Sequence, residues 1–201
     1  MPNWCENIAT ISHDNKESMQ PLVNALKSVT QARKEYYDKL DNESVMDTFQ
    51  VCYEANYDDC PEFFQSTHPM PDELKGTSSP HDTPNWHDWR LENWGTKWDV
   101  RYDSLKIHSM SDTSIMIQFD TAWSPPQVWY AHMRLWNFKV DAYFWEGGMS
   151  FCGLDTEEDG EEIYSCEQLD LIPSRIDQLF GISEYYEEME EHIEEVMQEE
   201  E

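Results

Sequence analysis

The stretch TSIMIQFDTAWSPPQVWYAHMRLWNF, residues 113–138, predicts a β-strand that passes directly into a helix. In its first part Ile115, Ile117 and Phe119 recur at every second position, which is typical of a strand with one buried face. Ser124 then offers an N-cap, and the two prolines after it suit a first helical turn. The side chains expected on the apolar face of this helix are Val128, Trp129, His132, Leu135 and Trp136. One strand and one helix are thus predicted in direct succession.

Similar signals on both sides predict the remaining elements. Upstream, residues 3–12 alternate as a strand would, with Trp4, Ile8 and Ile11 as candidate inward residues, and an amphipathic helix follows from Lys16. KWDVRYDSLKIHS should form a hairpin with TSIMIQFDTAW, and KVDAYFWE, SFCGLD and EIYSCEQL predict further strands. The order strand, helix, strand, strand, helix, strand, with an extra β-hairpin, is ferredoxin-like. We therefore expect an α+β fold in which two helices cover one face of an antiparallel sheet.

The pattern divides the chain into a body and an acidic helical extension. We expect residues 1–165 to form the ferredoxin-like domain, with a long Pro- and Ser-rich loop at residues 41–84. Residues 166–201 should form acidic C-terminal helices. The last helix has an apolar stripe that includes Tyr185 and Ile193. Repulsion between its glutamates would destabilise this helix if it were isolated. The stripe should therefore dock on the body or on a second copy of the chain.

Charge limits the classes of partner. The chain has 42 acidic and 13 basic residues, a net charge of -29, and residues 141–201 hold 21 acidic residues with Arg175 as their one basic residue. Such a surface repels nucleic-acid phosphates and anionic lipids and attracts proteins with basic grooves. We therefore expect a protein partner, no direct nucleic-acid binding and no membrane binding.

The chain lacks the usual signals for secretion or membrane insertion. Its first residues show no secretory signal, and no stretch approaches the roughly 18 apolar residues of a membrane helix. The five cysteines are odd in number and have no CxxC spacing, which favours reduced thiols. We expect a cytoplasmic protein, in the cytoplasm of a host cell if its origin is a phage.

Five segments together resemble a known family. They are MPNWCENIATI, HPMPDELKGT, WHDWRLENWGTKWD, FDTAWSPPQVW and AYFWEGGMSFCG, which occur in this order over residues 1–153. They resemble the YubB-like ferredoxin-fold family of plasmid and bacteriophage proteins. The resemblance implies a ferredoxin-like fold without an iron–sulfur cluster and a phage or mobile-element origin. It implies no activity and no catalytic residues, and the Glu-rich stretch after Cys166 lies outside the pattern.

Residues 87–100, HDWRLENWGTKWDV, hold three tryptophans around a glycine turn. Gly95 permits such a turn because glycine adopts positive φ at no steric cost. We expect these rings to close one end of the sheet as packing. The members of the predicted structural aromatic cluster are Trp4, Trp94, Trp98 and Trp123. The alternative is a stacking platform for a nucleobase or a peptide side chain.

Glu92 and Asp99 are the candidate catalytic residues of an enzyme hypothesis. Near the ENWGTKW turn they could serve as acid and base of a small hydrolase or transferase. The chain has no nucleophile motif, glycine-rich phosphate loop or HExxH motif. Binding is therefore favoured over catalysis, and we expect no cofactor.

A loop-bound zinc ion is the metal hypothesis that the sequence raises. Its candidate ligands are Cys52, Cys60, His68, His81 and His87. Their spacings match none of the common zinc patterns, so we expect histidines that face water and no metal.

The glutamates of the last helix are the candidate partner-binding residues. They are Glu184, Glu187, Glu188, Glu190, Glu191, Glu194 and Glu195. Our leading hypothesis is a non-enzymatic phage or mobile-element accessory protein that binds a basic host protein. Carboxylates on a rigid helix could imitate DNA and block a nucleic-acid-binding site, as in counter-defence or host takeover. The alternatives are a merely solubilising surface, an oligomer contact through the C-terminal helix, or a structural and assembly role.

Overall fold

The computed structural model describes residues 3–40, 62–79, 81–100 and 104–199. In these ranges no helix is both long enough and apolar enough to cross a bilayer. The strands are β1 (Trp4–Ser12), β2 (Lys106–Met110), β3 (Ser114–Ala122), β4 (Lys139–Glu146), β5 (Phe151–Thr156) and β6 (Gly160–Ser165). The helices are α1 (Lys16–Leu40), α2 (Phe63–Thr67), α3 (Trp86–Asn93), α4 (Gln127–Leu135), α5 (Ser174–Phe180) and α6 (Ile182–Glu199).

The strands form one antiparallel sheet in the order β2-β3-β1-β4-β5-β6. The strand β1 lies at the centre, where Ala9 pairs with Ile117 of β3 and with Ala142 of β4. The chain order β1-α1-β2-β3-α4-β4 combined with the spatial order 2-3-1-4 is the ferredoxin-like arrangement. The β5–β6 hairpin extends the sheet beyond β4. The predicted fold class, including the extra hairpin and the acidic C-terminal helices, is confirmed.

The main core lies between one face of the sheet and the helices α1 and α4. On β3 the predicted inward residues Ile115, Ile117 and Phe119 are all fully buried. From α1, Met19 and Leu26 reach the same cluster. A strand that alternates this regularly can bury only one face, because successive side chains point to opposite sides.

The predicted inward residues of β1 are divided between the two faces, which corrects that prediction. Ile11 pairs with Ile115 and joins the main core. Trp4 and Ile8 lie an odd number of residues from Ile11, so the period of two places them on the opposite face.

The buried face of α4 agrees with the predicted one at Trp129 and differs from it elsewhere. Trp129, Tyr130 and Met133 are buried, whereas Leu135 is 75% exposed and Trp136 is 43% exposed. Large side chains occur around most of this helix, so two stripes fit a helical spacing equally well. Packing against the sheet buries the stripe that contains Tyr130 and Met133, which periodicity alone did not indicate.

A second, smaller core lies on the other face of the sheet. Tyr143 of β4 and Leu154 of β5 pack there with Ile176 of α5 and Ile182 of α6. The two C-terminal helices therefore dock on the face that α1 and α4 leave uncovered.

Candidate partner-binding surface

Hydrogen bonds fix the junction between α5 and α6. Gly181, with φ of 66°, ends α5 in the left-handed conformation, and its N–H donates to the carbonyl oxygen of Asp177 at 2.7 Å. The carboxylate of Asp177 accepts from the backbone N–H of Ser183 at 2.7 Å and from its hydroxyl at 3.0 Å. A carboxylate at a helix N-terminus is also favoured by the helix dipole. The start of α6 is therefore firmly attached to α5.

The first turn of α6 also packs against the sheet. Ile182 is fully buried, and the ring of Tyr185 lies 5.1 Å from that of Trp145 on β4. The hydroxyl of Tyr186 donates to Oγ of Ser150 at 3.1 Å. The apolar stripe thus docks on the body at its beginning.

The glutamates of α6 face solvent. This helix contains eight glutamates in 18 residues and no lysine or arginine. None of the ion pairs found among the described side chains involves α6. The exposed glutamates are Glu184, Glu187, Glu188, Glu190, Glu191 and Glu195. The side chains of Glu194 and Glu199 lie outside the described part of the structure.

The apolar stripe is only partly covered beyond the first turn. Met189 is 41% exposed, Ile193 49% and Met197 66%. These residues continue the face that carries Ile182 and Tyr186, since they recur at intervals of three and four residues. The second half of α6 therefore presents apolar side chains flanked by carboxylates. Pairing with a second copy would bring the glutamates of two chains together.

The candidate catalytic residues Glu92 and Asp99 lie in different environments. Glu92 is exposed on α3. Asp99 is buried, and its carboxylate accepts hydrogen bonds from the backbone N–H groups of Phe64 at 2.9 Å, Gln65 at 2.8 Å and Val100 at 2.7 Å. It therefore caps the start of α2 from a distant part of the chain.

Burial also sets the acidity of Asp99. Desolvation, together with the charge of Glu62, raises the pKa of Asp99 to about 7, while the three N–H donors act against that rise. The raised pKa has a structural cause, and the oxygens already serve three amides. This carboxylate is poorly placed to act on a substrate.

The four tryptophans of the predicted cluster occupy several places. The ring of Trp4 lies 6.3 Å from that of Trp98. Trp94 is fully buried and packs on Phe64 at 5.8 Å. Trp123 is 45% exposed. The structure therefore brings Trp4 and Trp98 together and puts Trp94 into the main core.

The ENWGTKW turn joins α4 to the rest of the fold. Gly95 has φ of 80°, and a Cβ there would lie 3.1 Å from the backbone nitrogen of Val128. The N–H of Trp129, which has no partner within its own helix, donates to the carbonyl of Trp94 at 3.3 Å. Ser124 does not cap α4, which begins at Gln127; its hydroxyl donates to the carbonyl of Gly95 instead. The turn thus performs the capping that the sequence predicted for Ser124.

The zinc candidates do not converge in the described part of the chain. Among the described residues no group of three or more His, Cys, Asp or Glu side chains could hold a metal ion. Cys52 and Cys60 lie outside the described residues. His68 stacks between Trp89 at 5.6 Å and His132 at 4.4 Å, and burial lowers its pKa.

Sequence reasoning missed two carboxylates on the sheet. Glu6 of β1 pairs in register with Trp145 of β4, and Glu146 follows directly. Strand periodicity could have placed Glu6 on the face opposite Ile11. Its proximity to residues 145 and 146 depends on pairing between strands that are distant in sequence.

Comparisons with known proteins concern the central part of this fold. Residues 93–173 match the family described as "Ferredoxin-like domain in Api92-like protein". The Escherichia coli (strain K12) protein named "Uncharacterized protein YubB" is 31% identical over 80 residues, which are 39% of this chain and 54% of YubB. Residues 93–173 are thus similar to this domain family. The predicted YubB-like ferredoxin-fold relationship is confirmed for this segment, and the match spans about half the length of YubB.

A solved structure was also compared with the chain. The alignment with the crystal structure of the protein api92 from Yersinia pseudotuberculosis covers 83% of this chain and 95% of the api92 chain, with 12% sequence identity and a TM-score of 0.38.

The family segment runs from the end of α3 through β6 and stops at Pro173. The helices α5 and α6 lie outside it. The acidic candidate surface on α6 therefore lies outside the matched segment.

Proposed function

We propose that this protein is a non-enzymatic accessory protein that binds a partner with a basic surface through the exposed glutamates of α6. The observation that carries the proposal is a helix with eight glutamates and no basic residue, attached to the sheet by its first turn. Disordered acidic tails solubilise without needing such an attachment. A docked helix holds its charges in a fixed arrangement, which favours recognition by a complementary surface.

The charge density of α6 supports imitation of nucleic acid. At 1.5 Å per residue the helix is about 27 Å long, so its glutamates lie on average about 3.4 Å apart along the axis. One strand of duplex DNA carries one phosphate per 3.4 Å or so of axis. We propose that the partner is a nucleic-acid-binding protein whose basic groove α6 occupies and blocks.

The biological setting belongs to the same proposal. The proposal includes the phage or mobile-element origin that the YubB-like resemblance implies, and the partner would then be a host protein in the host cytoplasm. Counter-defence and host takeover are two settings in which blocking such a protein is useful. The long-range attraction of a chain with net charge -29 would speed the encounter with a basic partner.

The enzyme hypothesis has less support. Asp99 directs its oxygens at three backbone amides, and Glu92 is exposed on a helix. A general acid or base needs a free position within hydrogen-bond reach of substrate. The oligomer hypothesis has the exposed stripe of α6 in its favour and the mutual repulsion of its glutamates against it. Light scattering coupled to size exclusion would detect a stoichiometric oligomer.

Two variants with equal net charge test the proposal. In the α6-Q variant each of the six exposed glutamates of α6 is replaced by glutamine. In the body-Q variant six exposed acids elsewhere are replaced by their amides. These six are Asp14, Glu17, Glu73, Glu92, Asp112 and Glu158.

Affinity capture from host lysate at low salt should recover a specific set of proteins with the wild type and with body-Q. The α6-Q variant should lose them, because it removes the charges from one helix and keeps the fold. Equal capture by all three proteins would contradict the proposal. Equal loss with both variants would show that net charge alone matters, and it would contradict recognition by α6.

A further inference from the structure

A cavity of about 300 Å³ opens on the face of the sheet opposite α1 and α4. It lies between the start of β1, the turn that joins β4 to β5, and the first turn of α6. Its walls include Trp4, Glu6, Trp145, Glu146 and Tyr185. Three aromatic residues and two glutamates thus line a space that suits one long side chain.

The aromatic walls are held in place by packing. The rings of Trp145 and Tyr185 meet nearly at right angles, with centroids 5.1 Å apart, and Trp4 packs on Trp98. Gly147 leaves room for Trp145, since a Cβ there would lie 3.1 Å from Cζ2 of the indole. The rings form a rigid surface whose faces carry the negative side of the aromatic quadrupole.

The carboxylates add negative charge to these walls. Glu146 is almost fully buried and accepts from the N–H groups of Gly148 and Met149, so the turn fixes its position. Glu6 is half-buried on the neighbouring strand. In the part of the chain that the structure describes, neither carboxylate forms an ion pair. Buried charges are usually paired, so a cation that entered the cavity would be favoured by these two glutamates.

We infer that this cavity binds the guanidinium group of an arginine side chain from a partner protein. A planar guanidinium stacks on tryptophan faces and presents a fork of N–H donors to carboxylates, whereas an ammonium is a point charge that is more strongly hydrated. The cavity has both features that a guanidinium needs. Its position beside the first turn of α6 places it at the edge of the proposed recognition surface.

This inference deepens the proposed function, since it names a side chain that the basic partner inserts. The pocket and the α6 glutamates are nevertheless separate sets of residues. Arginine binding in the cavity needs Glu6 and Glu146, and it does not need the six exposed glutamates of α6. The α6-Q variant should therefore retain it.

The test titrates ¹⁵N-labelled full-length protein with N-acetylarginine amide and follows the indole N–H resonances of Trp4 and Trp145. Saturable shifts of these two resonances are expected. N-acetylcitrulline amide, which has the same shape without the charge, should cause no shift at the same concentrations. Nα-acetyllysine amide, which keeps its charged ε-ammonium group, should bind at least fivefold more weakly than the arginine compound. Unmoved resonances, or equal shifts with citrulline or lysine, would overturn the assignment.

A pair of variants locates the site. Glu6→Gln should weaken arginine binding at least tenfold, while Glu92→Gln, an exposed glutamate on α3, should change it less than twofold. Equal effects would mean that general charge attraction causes the binding, which would overturn the inference. If arginine binds and α6-Q still captures the partner, the proposed function is wrong and the pocket stands. If arginine does not bind and α6-Q loses the partner, only the pocket is wrong.

Discussion

The turn around Gly95 and the helix α6 lie on opposite faces of the sheet and differ in what their polar and aromatic groups contact. Around the turn, Trp94 and Asp99 direct their polar groups at backbone atoms inside the fold. Along α6, beyond its first turn, the glutamates whose side chains the structure describes are exposed, and the apolar stripe is only partly covered. Polar groups that are already hydrogen-bonded inside the fold are not available to bind a partner. Recognition is therefore to be sought on α6 and in the cavity beside it.

The largest expected effect is on the turn side of this comparison. Trp94→Ala should lower the free energy of unfolding by about 3–5 kcal/mol, because it empties a fully buried site and leaves the carbonyl of His68 without its indole donor. Ile193→Ala, on the exposed stripe, should change it by less than about 1 kcal/mol. Urea denaturation measures both. Similar losses would mean that α6 is as integrated as the turn.

Gly95→Ala should cost about 1–3 kcal/mol through backbone strain at positive φ and contact with Val128. Gly76→Ala is the matched control, because Gly76 has φ of 81° and no atom lies within 4 Å of the position that an alanine methyl group would take. The excess loss of stability at Gly95 measures how tightly the turn is held against α4. Equal losses at both glycines would argue against that close contact.

Asp99 should give a smaller, pH-dependent effect. The pKa of Asp99 is about 7 in the folded protein against an ordinary value of 3.8. Between these values the folded state binds more protons than the unfolded state, so the free energy of unfolding falls as pH rises through this window. Asp99→Asn removes the titration. The stability of the wild type relative to this variant should therefore decrease between pH 5 and pH 8.

Urea denaturation of both proteins at the two pH values makes this comparison, and the other carboxylates cancel in the difference. A wild-type advantage that grows with pH would contradict burial as the dominant influence on Asp99. It would mean that the three amide donors hold the carboxylate in its charged form.

The smallest effect is expected on α6. Glu187→Gln together with Glu191→Gln should raise the free energy of unfolding by about 0.2–0.5 kcal/mol at low salt, because it removes repulsion between like charges one turn apart. The gain should disappear in 1 M salt, where the Debye length is about 3 Å. A loss of stability would show that these glutamates have a cationic partner within the fold.

Local patterns predicted those parts of the fold that depend on local periodicity. The inward residues of β3 are a clear case, since Ile115, Ile117 and Phe119 recur at every second position and Met116 is the one apolar residue between Ser114 and Asp120 on the other face. In α4 the large residues surround most of the helix, and only contact with the sheet distinguishes Met133 from Leu135. In β1 the apolar residues fall at both parities, so alternation alone could not assign their face.

The functional surfaces also differ in how far the sequence alone could predict them. The exposed glutamates of α6 could be found from composition, because consecutive carboxylates cannot be buried. The cavity could not, since Glu6 and Trp145 are brought together by pairing between β1 and β4 across most of the chain. The cap on α2 is a comparable case, in which Asp99 serves a helix that precedes it by more than 30 residues.

The most direct test of the account is the salt dependence of binding to a captured partner, measured for the wild type, α6-Q and body-Q between 50 and 300 mM salt. The account predicts that wild-type and body-Q affinities fall steeply with salt, and that α6-Q binds weakly with little dependence on salt. Wild-type and α6-Q curves that coincide would show that α6 is not the recognition surface.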